Sequence, residues 1–414
     1  MIRRKESGIK KLIEYALIIA TFYITGGAFS YINYSTKIIV FFLVAFLLCL
    51  LYKKKIFGDI KTIFVLFLMS VFILLPGVVF GDSISTYIAI IMQLCIGYFC
   101  ASFIPIEKYK KKYVSVIVFF ALISLIGFVV GMLMPSIVRI FPLIDTIEDS
   151  SVVYYNAYIY IFMARKGYDS VVLTVRNAGI CWEPGCYQMF LNIALFLLLD
   201  ANRDKKQQLF YVKFLILIVT IITTVSTIGY ILMMTLLIVM RKSWLGNLKA
   251  LLALPFILCI VIFALNYFSA GDAIIEKIKS ELSAIGTSKQ NPINRISLDV
   301  IPYIFTDSYF FGMGFSNWLL FKHPLWNSII HSFLCLGTPF TVMHLYGLYK
   351  GAKALSRKYR LLFILIIACA CTETLFWRVF FNTIAFYGWL NMENTKKSSR
   401  ETNNENFVDR SSDI

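Results

Sequence analysis

The sequence has few charged residues and few of the groups that build recognisable metal or nucleotide sites. Charged residues make up 15% of the 414 residues, and there are three histidines. The nine cysteines are scattered, mostly inside apolar runs, without the spacing of zinc ligands. The sequence contains no Gly-x-Gly-x-x-Gly or Walker pattern, no Asp-x-Asp pair and no Ser-His-Asp order. These absences argue against a nucleotide-binding loop or a motif-defined metal site, and we expect neither a cofactor nor a bound metal.

Long apolar runs recur from one end of the chain to the other. Hydrophobic residues account for 59% of the sequence and the mean hydropathy is +0.76, whereas soluble proteins contain roughly 45–50% apolar residues. Most runs approach the ~20 residues that a helix needs to cross a bilayer. They lie at 12–30, 38–52, 63–80, 84–104, 114–134, 184–199, 210–240, 251–268, 326–349 and 361–390. The pattern predicts an all-α polytopic membrane protein.

The chain has a formal net charge of +17, and many of its lysines and arginines lie in the linkers between these runs. Cytoplasmic loops of membrane proteins are enriched in lysine and arginine. Five short linkers are basic, at 53–55, 108–112, 203–206, 241–249 and 350–360. We therefore expect these linkers and both termini to be cytoplasmic, the first apolar run to be a retained helix, and lipids to surround the chain. No basic domain is present for binding nucleic acid.

Two of the runs are too long for a single crossing. The run 210–240 has a polar centre from Thr223 to Gly229, and a single crossing would place Arg241 on the outer side. The run 361–390 has Glu373 and Arg378 near its middle. We predict that each run forms a hairpin of two helices, which brings the count to about twelve transmembrane helices.

This topology divides the chain into six segments. We expect N-terminal membrane helices in 1–134, a first large extracytoplasmic loop in 135–182 and central membrane helices in 183–268. A second large extracytoplasmic loop follows in 269–325, then C-terminal membrane helices in 326–390 and a disordered cytoplasmic tail in 391–414. Within the second loop, 272–285 is amphipathic and predicts either a helix on the membrane surface or an ordinary packed loop helix.

Arginine and glutamate mark the edges of the outer loops. Arg176 and Arg295 both precede membrane segments, and a guanidinium binds phosphate oxygens with two parallel hydrogen bonds. The two side chains are candidates for holding a diphosphate, although pairing with lipid headgroups is the alternative. Glu183 precedes Pro184, a typical helix start. Glu183 is therefore expected to cap this helix and is also a candidate general base or a group that orients Arg176.

Further candidates lie near the C-terminal helices and beside Glu183. Asn327 and His331 share one helical face, and His331 is either a proton-transfer group or a packed core residue. Gly312 and Gly314 indicate a tight turn. Cys181 and Cys186 flank the Glu-Pro-Gly sequence, and a disulfide at this short spacing would be strained.

Taken together, these motifs resemble the O-antigen polymerase and O-antigen ligase superfamily. Arg176-x-x-Gly179-x-x-x-Glu183-Pro184-Gly185 is similar to its Arg…Gly…Glu-Pro signature, and Ser226-Thr227-x-Gly229 to its helix-break motif. Arg295 followed by Phe311-Gly312-x-Gly314-Phe315 resembles its second-loop arginine and Gly-x-Gly turn, and Asn327-Ser328 with Gly337 its His-Asn…Gly element. The motifs appear in the family's order between Arg176 and Gly337. The N-terminal half matches only as generic membrane helices.

The resemblance implies a metal-independent, inverting glycosyltransferase in the bacterial cytoplasmic (inner) membrane. Its substrate would be an undecaprenyl-diphosphate-linked oligosaccharide, which it would polymerise into capsule, exopolysaccharide or O-antigen. A flippase and a chain-length regulator are the protein partners it suggests. Arg176, Glu183, Arg295 and His331 would be catalytic. The candidate substrate-binding residues are Gly179, Ser226, Thr227, Gly314, Asn327 and Arg378.

One departure from the family pattern keeps alternatives open. Family ligases place a histidine directly before the asparagine, and Trp326 stands there in this chain. His331, one turn later, either takes that role or the role is absent. A ligase that transfers a finished glycan, a transporter of lipid-linked oligosaccharides and a structural membrane protein are the alternatives to a polymerase.

Overall fold

The protein is described from a computed structural model. The structure describes residues 8–27, 34–51, 60–144, 152–165, 176–201, 208–241, 310–315, 327–371, 373 and 375–390. Most of these residues are helical. The predicted span 251–268, the amphipathic segment 272–285, the tail 391–414 and Arg295 lie outside the described residues.

The helices follow the apolar runs of the sequence closely. The first eight helices are α1 (Gly8–Gly26), α2 (Tyr34–Leu51), α3 (Ile60–Phe80), α4 (Ile84–Phe103), α5 (Ile106–Leu133), α6 (Pro184–Ala201), α7 (Gln208–Thr223) and α8 (Thr227–Val239). The C-terminal part contains α9 (Ser328–Leu336), α10 (Thr338–Leu355), α11 (Tyr359–Ala370) and α12 (Val379–Leu390).

Within the described residues, four helices are long and apolar enough to cross a membrane by length and composition: α3, α4, α5 and α6. Shorter apolar helices include α7, α8, α11 and α12. Helix α6 is buried along nearly its whole length, whereas α3 leaves most of its apolar side chains partly or fully exposed. A helix with exposed apolar side chains is typical of a lipid-facing position. The chain is therefore a helical, membrane-embedded protein with α6 in its interior.

Both long apolar runs are interrupted where the polar residues predicted a break. Helix α7 ends at Thr223 and α8 begins at Thr227, with Val225 between them at a φ of 48°. Helices α11 and α12 are separated by residues 371–378. Tyr359 at the start of α11 packs on Tyr349 of α10 at a ring distance of 5.7 Å, and Gly388 near the end of α12 approaches the same half of α10. The chain therefore reverses direction between α11 and α12, as a hairpin requires.

The apolar run 326–349 is not the single helix that we expected. It is divided into α9 and α10 at Gly337, whose φ is 87°. A Cβ at this position would collide with the backbone of Phe311 and Gly312. The close approach of this distant segment requires glycine here, and Pro339 at the start of α10 is a local signal of the break that the prediction missed.

The segment between α5 and α6, which we predicted to be the first outer loop, contains a sheet that the sequence analysis did not predict. Three antiparallel strands lie in the order β1 (Leu143–Ile144), β2 (Val152–Asn156) and β3 (Ile161–Arg165). A short 3-10 helix, Pro135–Ile140, connects α5 to β1. Tyr160 and Phe162 pack edge to face at 4.7 Å in a small separate core with Val138. The described part of the fold is thus mostly helical, consistent with the predicted all-α membrane protein, with a small sheet added between α5 and α6.

The centre of the bundle is formed by α4, α10 and α12. Gly388 lies so close to α10 that a Cβ would come within 2.5 Å of the Gly347 carbonyl oxygen, and Gly97 of α4 lies equally close to the Asn382 side chain of α12. Small residues at helix crossings allow this approach in membrane proteins. These contacts fix α12 against α4 near its start and against α10 near its end.

Candidate functional site

Hydrogen bonds connect helix starts and helix ends at one end of the bundle. The Phe380 N–H at the start of α12 donates to Thr25 Oγ1 at the end of α1, at 3.0 Å. Ser328 Oγ at the start of α9 donates to the Ala370 carbonyl at the end of α11, at 2.5 Å. We call this region the site end of the bundle, because the candidate residues that the structure describes gather there.

Arg176 lies at the site end. Asn177, the next residue, is hydrogen-bonded to α5 and to the end of α7. The Asn177 N–H donates to the Thr223 carbonyl at 2.9 Å. Asn177 Nδ2 donates to Thr223 Oγ1 at 3.0 Å and to Ser124 Oγ at 3.2 Å. Asn177 is fully buried. The backbone at Arg176 is therefore fixed against α5 and the end of α7.

Gly179 continues this fixed segment and connects it to the sheet. Its N–H donates to Asn177 Oδ1 at 2.9 Å, and its carbonyl accepts from the Ile161 N–H at 2.7 Å. The φ of Gly179 is 58°, and a Cβ there would collide with the ring of Tyr187. Backbone conformation and packing thus require glycine here, while its predicted role in substrate binding stays a prediction.

Glu183 lies at the start of α6, as predicted. Helix α6 begins at Pro184, and the Glu183 carbonyl accepts the first helical bond from the Tyr187 N–H at 3.1 Å. The carboxylate of Glu373, 1% exposed, fills the space that a Cβ on Gly185 would need. Glu183 Oε1 lies 3.8 Å from the same position. Two carboxylates from separate turns therefore meet at the N-terminus of α6, where the helix dipole favours negative charge.

Tyr154 of the sheet faces both charges of the first motif. Burial raises the pKa of the Tyr154 hydroxyl, the Glu183 carboxylate raises it further and the Arg176 guanidinium opposes this. All three side chains are partly exposed. The arginine, the glutamate and a neutral phenol therefore lie within electrostatic range of one another at a surface that remains accessible.

The break between α7 and α8 lies beside this group. Ser226 is the N-cap residue of α8, and its carbonyl accepts from the Tyr230 N–H at 3.0 Å. Thr227 is the first residue of the helix and is partly exposed. Gly229 packs against Gln188 of α6, where a Cβ would lie 3.1 Å from the Gln188 Cβ. The motif therefore brings the start of α8 onto α6 within one turn of Gly185.

The described part of the second loop, residues 310–315, also reaches the site end. The Phe315 N–H donates to Asp82 Oδ2 at 2.6 Å, between α3 and α4. Gly314 has a φ of 77°, and a Cβ there would collide with the same carboxylate oxygen. Glycine at position 314 therefore leaves space for the Asp82 carboxylate. Its predicted contact with substrate stays a prediction.

His331 and Trp377 pack against Phe315 of residues 310–315, and Arg378 follows Trp377 in the sequence. The His331 ring packs between Phe315 at 5.8 Å and Trp377 at 5.1 Å, both edge to face. Arg378 follows Trp377, and its carbonyl accepts the first bond of α12 from Asn382. His331 thus has the aromatic surroundings of a packed residue while remaining partly exposed.

Asn327 caps α9 with its side chain. Its Oδ1 accepts from the N–H groups of Ile329 at 3.1 Å and Ile330 at 3.2 Å, a standard N-cap arrangement. Asn327 also contacts Cys371, where burial raises the thiol pKa and the hydrogen bond from Asn327 opposes that effect. Asn327 therefore joins the start of α9 to the turn that carries Glu373.

Two clusters result from this arrangement of the predicted residues. Arg176, Gly179 and Glu183 lie in the first with the start of α8, and Gly314 lies near His331 and Trp377 in the second. The turn 371–378 joins them, because Glu373 contacts the first cluster and Trp377 the second. Arg295 lies outside the described residues, so its position relative to either cluster stays a prediction.

Three side chains at the site end had no place in the sequence analysis: Asp82, Tyr154 and Asn177. Glu373 was noted as a polar residue in the middle of the run 361–390 but was given no role. Glu373 had a usable signal, since a carboxylate inside an apolar run is costly and usually functional. Asp82 stands in a short turn and Tyr154 in an irregular stretch, so neither had one. Cys181 and Cys186 are both buried free thiols, and no disulfide joins them.

The chain matches no family model, no curated protein and no solved structure in comparisons with known proteins. Among the residues that the structure describes, no three His, Cys, Asp or Glu side chains are grouped as a metal site. A functional assignment therefore depends on the geometry of the site end and on the motifs of the sequence.

Proposed function

We propose that the chain is a membrane glycosyltransferase that polymerises undecaprenyl-diphosphate-linked oligosaccharide repeat units into a surface polysaccharide. The observation that carries the proposal is the group formed by Arg176, Glu183 and Tyr154 at the start of α6. A permanent cation and a carboxylate are held there at the end of a membrane helix bundle. These are the two charges that displacement of a diphosphate by a hydroxyl requires.

The topology supports this proposal. The alternation of basic linkers favours cytoplasmic termini and about twelve transmembrane helices, and the resemblance to the polymerase superfamily implies the bacterial inner membrane. The site end then faces the outer side, where α1 ends and α4, α6, α8 and α12 begin. A lipid-linked donor is available there and a nucleotide sugar is not, which agrees with a sequence that lacks nucleotide-binding motifs.

Each residue has a defined task in the proposed reaction. An acceptor sugar hydroxyl attacks the anomeric carbon of the donor, and the bond from that carbon to the diphosphate oxygen breaks. Glu183 takes the proton of the hydroxyl, and Arg176 stabilises the charge that develops on the departing diphosphate. One displacement inverts the anomeric configuration. Tyr154, which stays neutral, donates a hydrogen bond at the same surface.

The decisive experiment supplies the purified protein in lipid with the lipid-linked repeat unit alone. We expect a ladder of longer lipid-linked glycans, and we expect Arg176→Ala to abolish it. Arg139→Ala is the matched control, because Arg139 is an exposed arginine of the 3-10 helix in the same outer region. A ladder that survives Arg176→Ala contradicts the assigned role. A well-folded protein that forms no ladder from its cognate substrate points instead to a ligase or a transporter.

A further inference from the structure

Asp82 occupies an unusual position between two distant parts of the chain. It lies in the short turn between α3 and α4 and is 8% exposed. Its Oδ2 accepts from Tyr87 Oη at 2.5 Å and from the Phe315 N–H at 2.6 Å. A carboxylate that accepts two hydrogen bonds in a buried turn is a strong point of attachment.

Phe315, whose N–H donates to Asp82, belongs to residues 310–315, which pack against the C-terminal helices α9 and α10. The Met313 N–H donates to the Leu334 carbonyl of α9 at 2.6 Å, and the Thr338 N–H of α10 donates to the Phe310 carbonyl at 2.8 Å. These bonds hold one edge of residues 310–315. The bond from Phe315 to Asp82 holds the other edge.

The ring of Phe315 packs against residues of the site, so the attachment of Phe315 also positions them. It lies 5.6 Å from Tyr87, 5.8 Å from His331 and 6.0 Å from Trp377, measured between ring centroids. His331 and Trp377 are themselves 5.1 Å apart. The placement of Phe315 therefore determines the packing around His331 and at the turn that leads to Arg378.

The attachment requires glycine at position 314, both for space and for backbone conformation. Its Cα faces Asp82 Oδ2 so closely that any larger residue would collide with the carboxylate, and its φ of 77° also favours glycine. The Gly-x-Gly turn and Asp82 therefore fit each other, although more than two hundred residues separate them in the sequence.

We propose that Asp82 is a positioning residue that holds residues 310–315 of the second loop against the glycosyl-transfer site. The catalytic part of this inference rests on the proposed function, whereas the attachment itself does not. Asp82 lies in the N-terminal half, where the sequence shows only generic membrane helices. The attachment gives that half of the chain a defined task at the site.

Hydrogen exchange of the Phe315 amide tests the attachment without any substrate. In Asp82→Ala we expect exchange of this amide to accelerate by about 10–100-fold, the loss of one charge-assisted hydrogen bond. Tyr87→Phe removes the other donor to Asp82 and also a weaker second acceptor of this amide, Tyr87 Oη at 3.3 Å, so we expect a smaller acceleration than in Asp82→Ala. Ser83→Ala is the control, because Ser83 is an exposed residue of the same turn whose side chain makes no cap bond. Amides of β2 and β3 report whether an effect is local. Unchanged Phe315 exchange in a folded Asp82→Ala protein overturns the proposal.

A conservative variant and turnover complete the test. Asp82→Asn keeps an acceptor oxygen, so we expect exchange and turnover between those of the wild type and Asp82→Ala, and it serves if the alanine variant does not fold. Faster Phe315 exchange with an unchanged kcat overturns the positioning role. A wild-type protein that forms no ladder refutes the proposed function alone, since Phe315 exchange still decides whether Asp82 is the attachment point. Arg176→Ala should lose the ladder and keep normal exchange.

Discussion

The carboxylate of Glu373 lies against Gly185, on the first turn of the helix that Glu183 begins. Glu373 belongs to the turn between α11 and α12, and its Oε1 occupies the space of a Cβ on residue 185. The start of α6 is therefore shaped by a side chain nearly two hundred residues away. This contact relates the C-terminal hairpin to the carboxylate that we assign as the general base.

The first prediction concerns the space at Gly185. Gly185→Ala would force the added methyl group into the Glu373 carboxylate, so we expect a loss of about 1–3 kcal/mol in the free energy of unfolding. Thermal unfolding of the purified protein in detergent measures the effect. Gly8→Ala is the control, because a Cβ on Gly8 meets no atom within 4 Å.

A double variant identifies the cause of that loss. Glu373→Ala removes the carboxylate that the new methyl group meets, so the loss caused by Gly185→Ala should shrink in the Glu373→Ala background. Strictly additive losses in the two single variants would show that the collision with Glu373 is not the cause.

The second prediction concerns Glu183 as the proton acceptor. Glu183→Gln keeps the shape of the side chain and the backbone N-cap, but an amide does not accept the proton of an acceptor hydroxyl. We expect the rate of chain extension to fall about 10²–10⁴-fold while the unfolding temperature stays close to the wild type. Single-turnover extension of the lipid-linked repeat unit measures it. Full turnover in Glu183→Gln would leave capping as the only role of this residue.

The third prediction concerns the pH dependence of Tyr154. Its pKa is raised above the ordinary value for tyrosine, so the phenol keeps its proton through the neutral and alkaline range and acts as a donor. Tyr154→Phe should lower kcat/KM about 5–20-fold, which corresponds to one lost hydrogen bond, by the same factor from pH 6 to pH 9. Tyr158→Phe, an exposed residue of the same loop, is the control. An alkaline limb that disappears in Tyr154→Phe would show that the hydroxyl titrates in this range.

The sequence predicted the helices well because hydrophobic length decides them. The structure places α3 at Ile60–Phe80 and α4 at Ile84–Phe103 where the runs indicated, and α6 begins at Pro184. The polar centres of the two long runs correctly predicted breaks, since Ser, Thr and Gly in 223–229 and the charges of Glu373 and Arg378 in 371–378 are unfavourable inside an apolar helix. Each of these features depends on local residues.

Most of the features that we did not predict depend on contacts between distant segments. At the division of α9 from α10, Gly337 and Pro339 are local signals that the prediction missed, whereas the approach of Phe311 and Gly312 that requires glycine there is a tertiary contact. The small sheet pairs short strands whose registers depend on one another. At the site, Glu183 and Arg176 stand in a recognisable motif, whereas Asp82 owes its importance to Phe315. Tertiary pairing of this kind has no periodic signal along the chain.

The last prediction concerns the opposite end of the bundle, where α1 and α5 share a buried ion pair. Lys112 Nζ lies 2.6 Å from Glu14 Oε2, and the Glu14 side chain is fully buried. Glu14→Gln leaves the ammonium of Lys112 without its counter-charge, so we expect a loss of about 3–5 kcal/mol in the free energy of unfolding. Glu107→Gln is the control, because its pair with Lys110 is exposed and contributes at most about 1 kcal/mol. Replacing Glu14 and Lys112 together with leucine should recover most of the loss, since an apolar pair avoids the cost of burying charge. If the double variant is no more stable than Glu14→Gln, lost packing rather than the uncompensated charge is the cause.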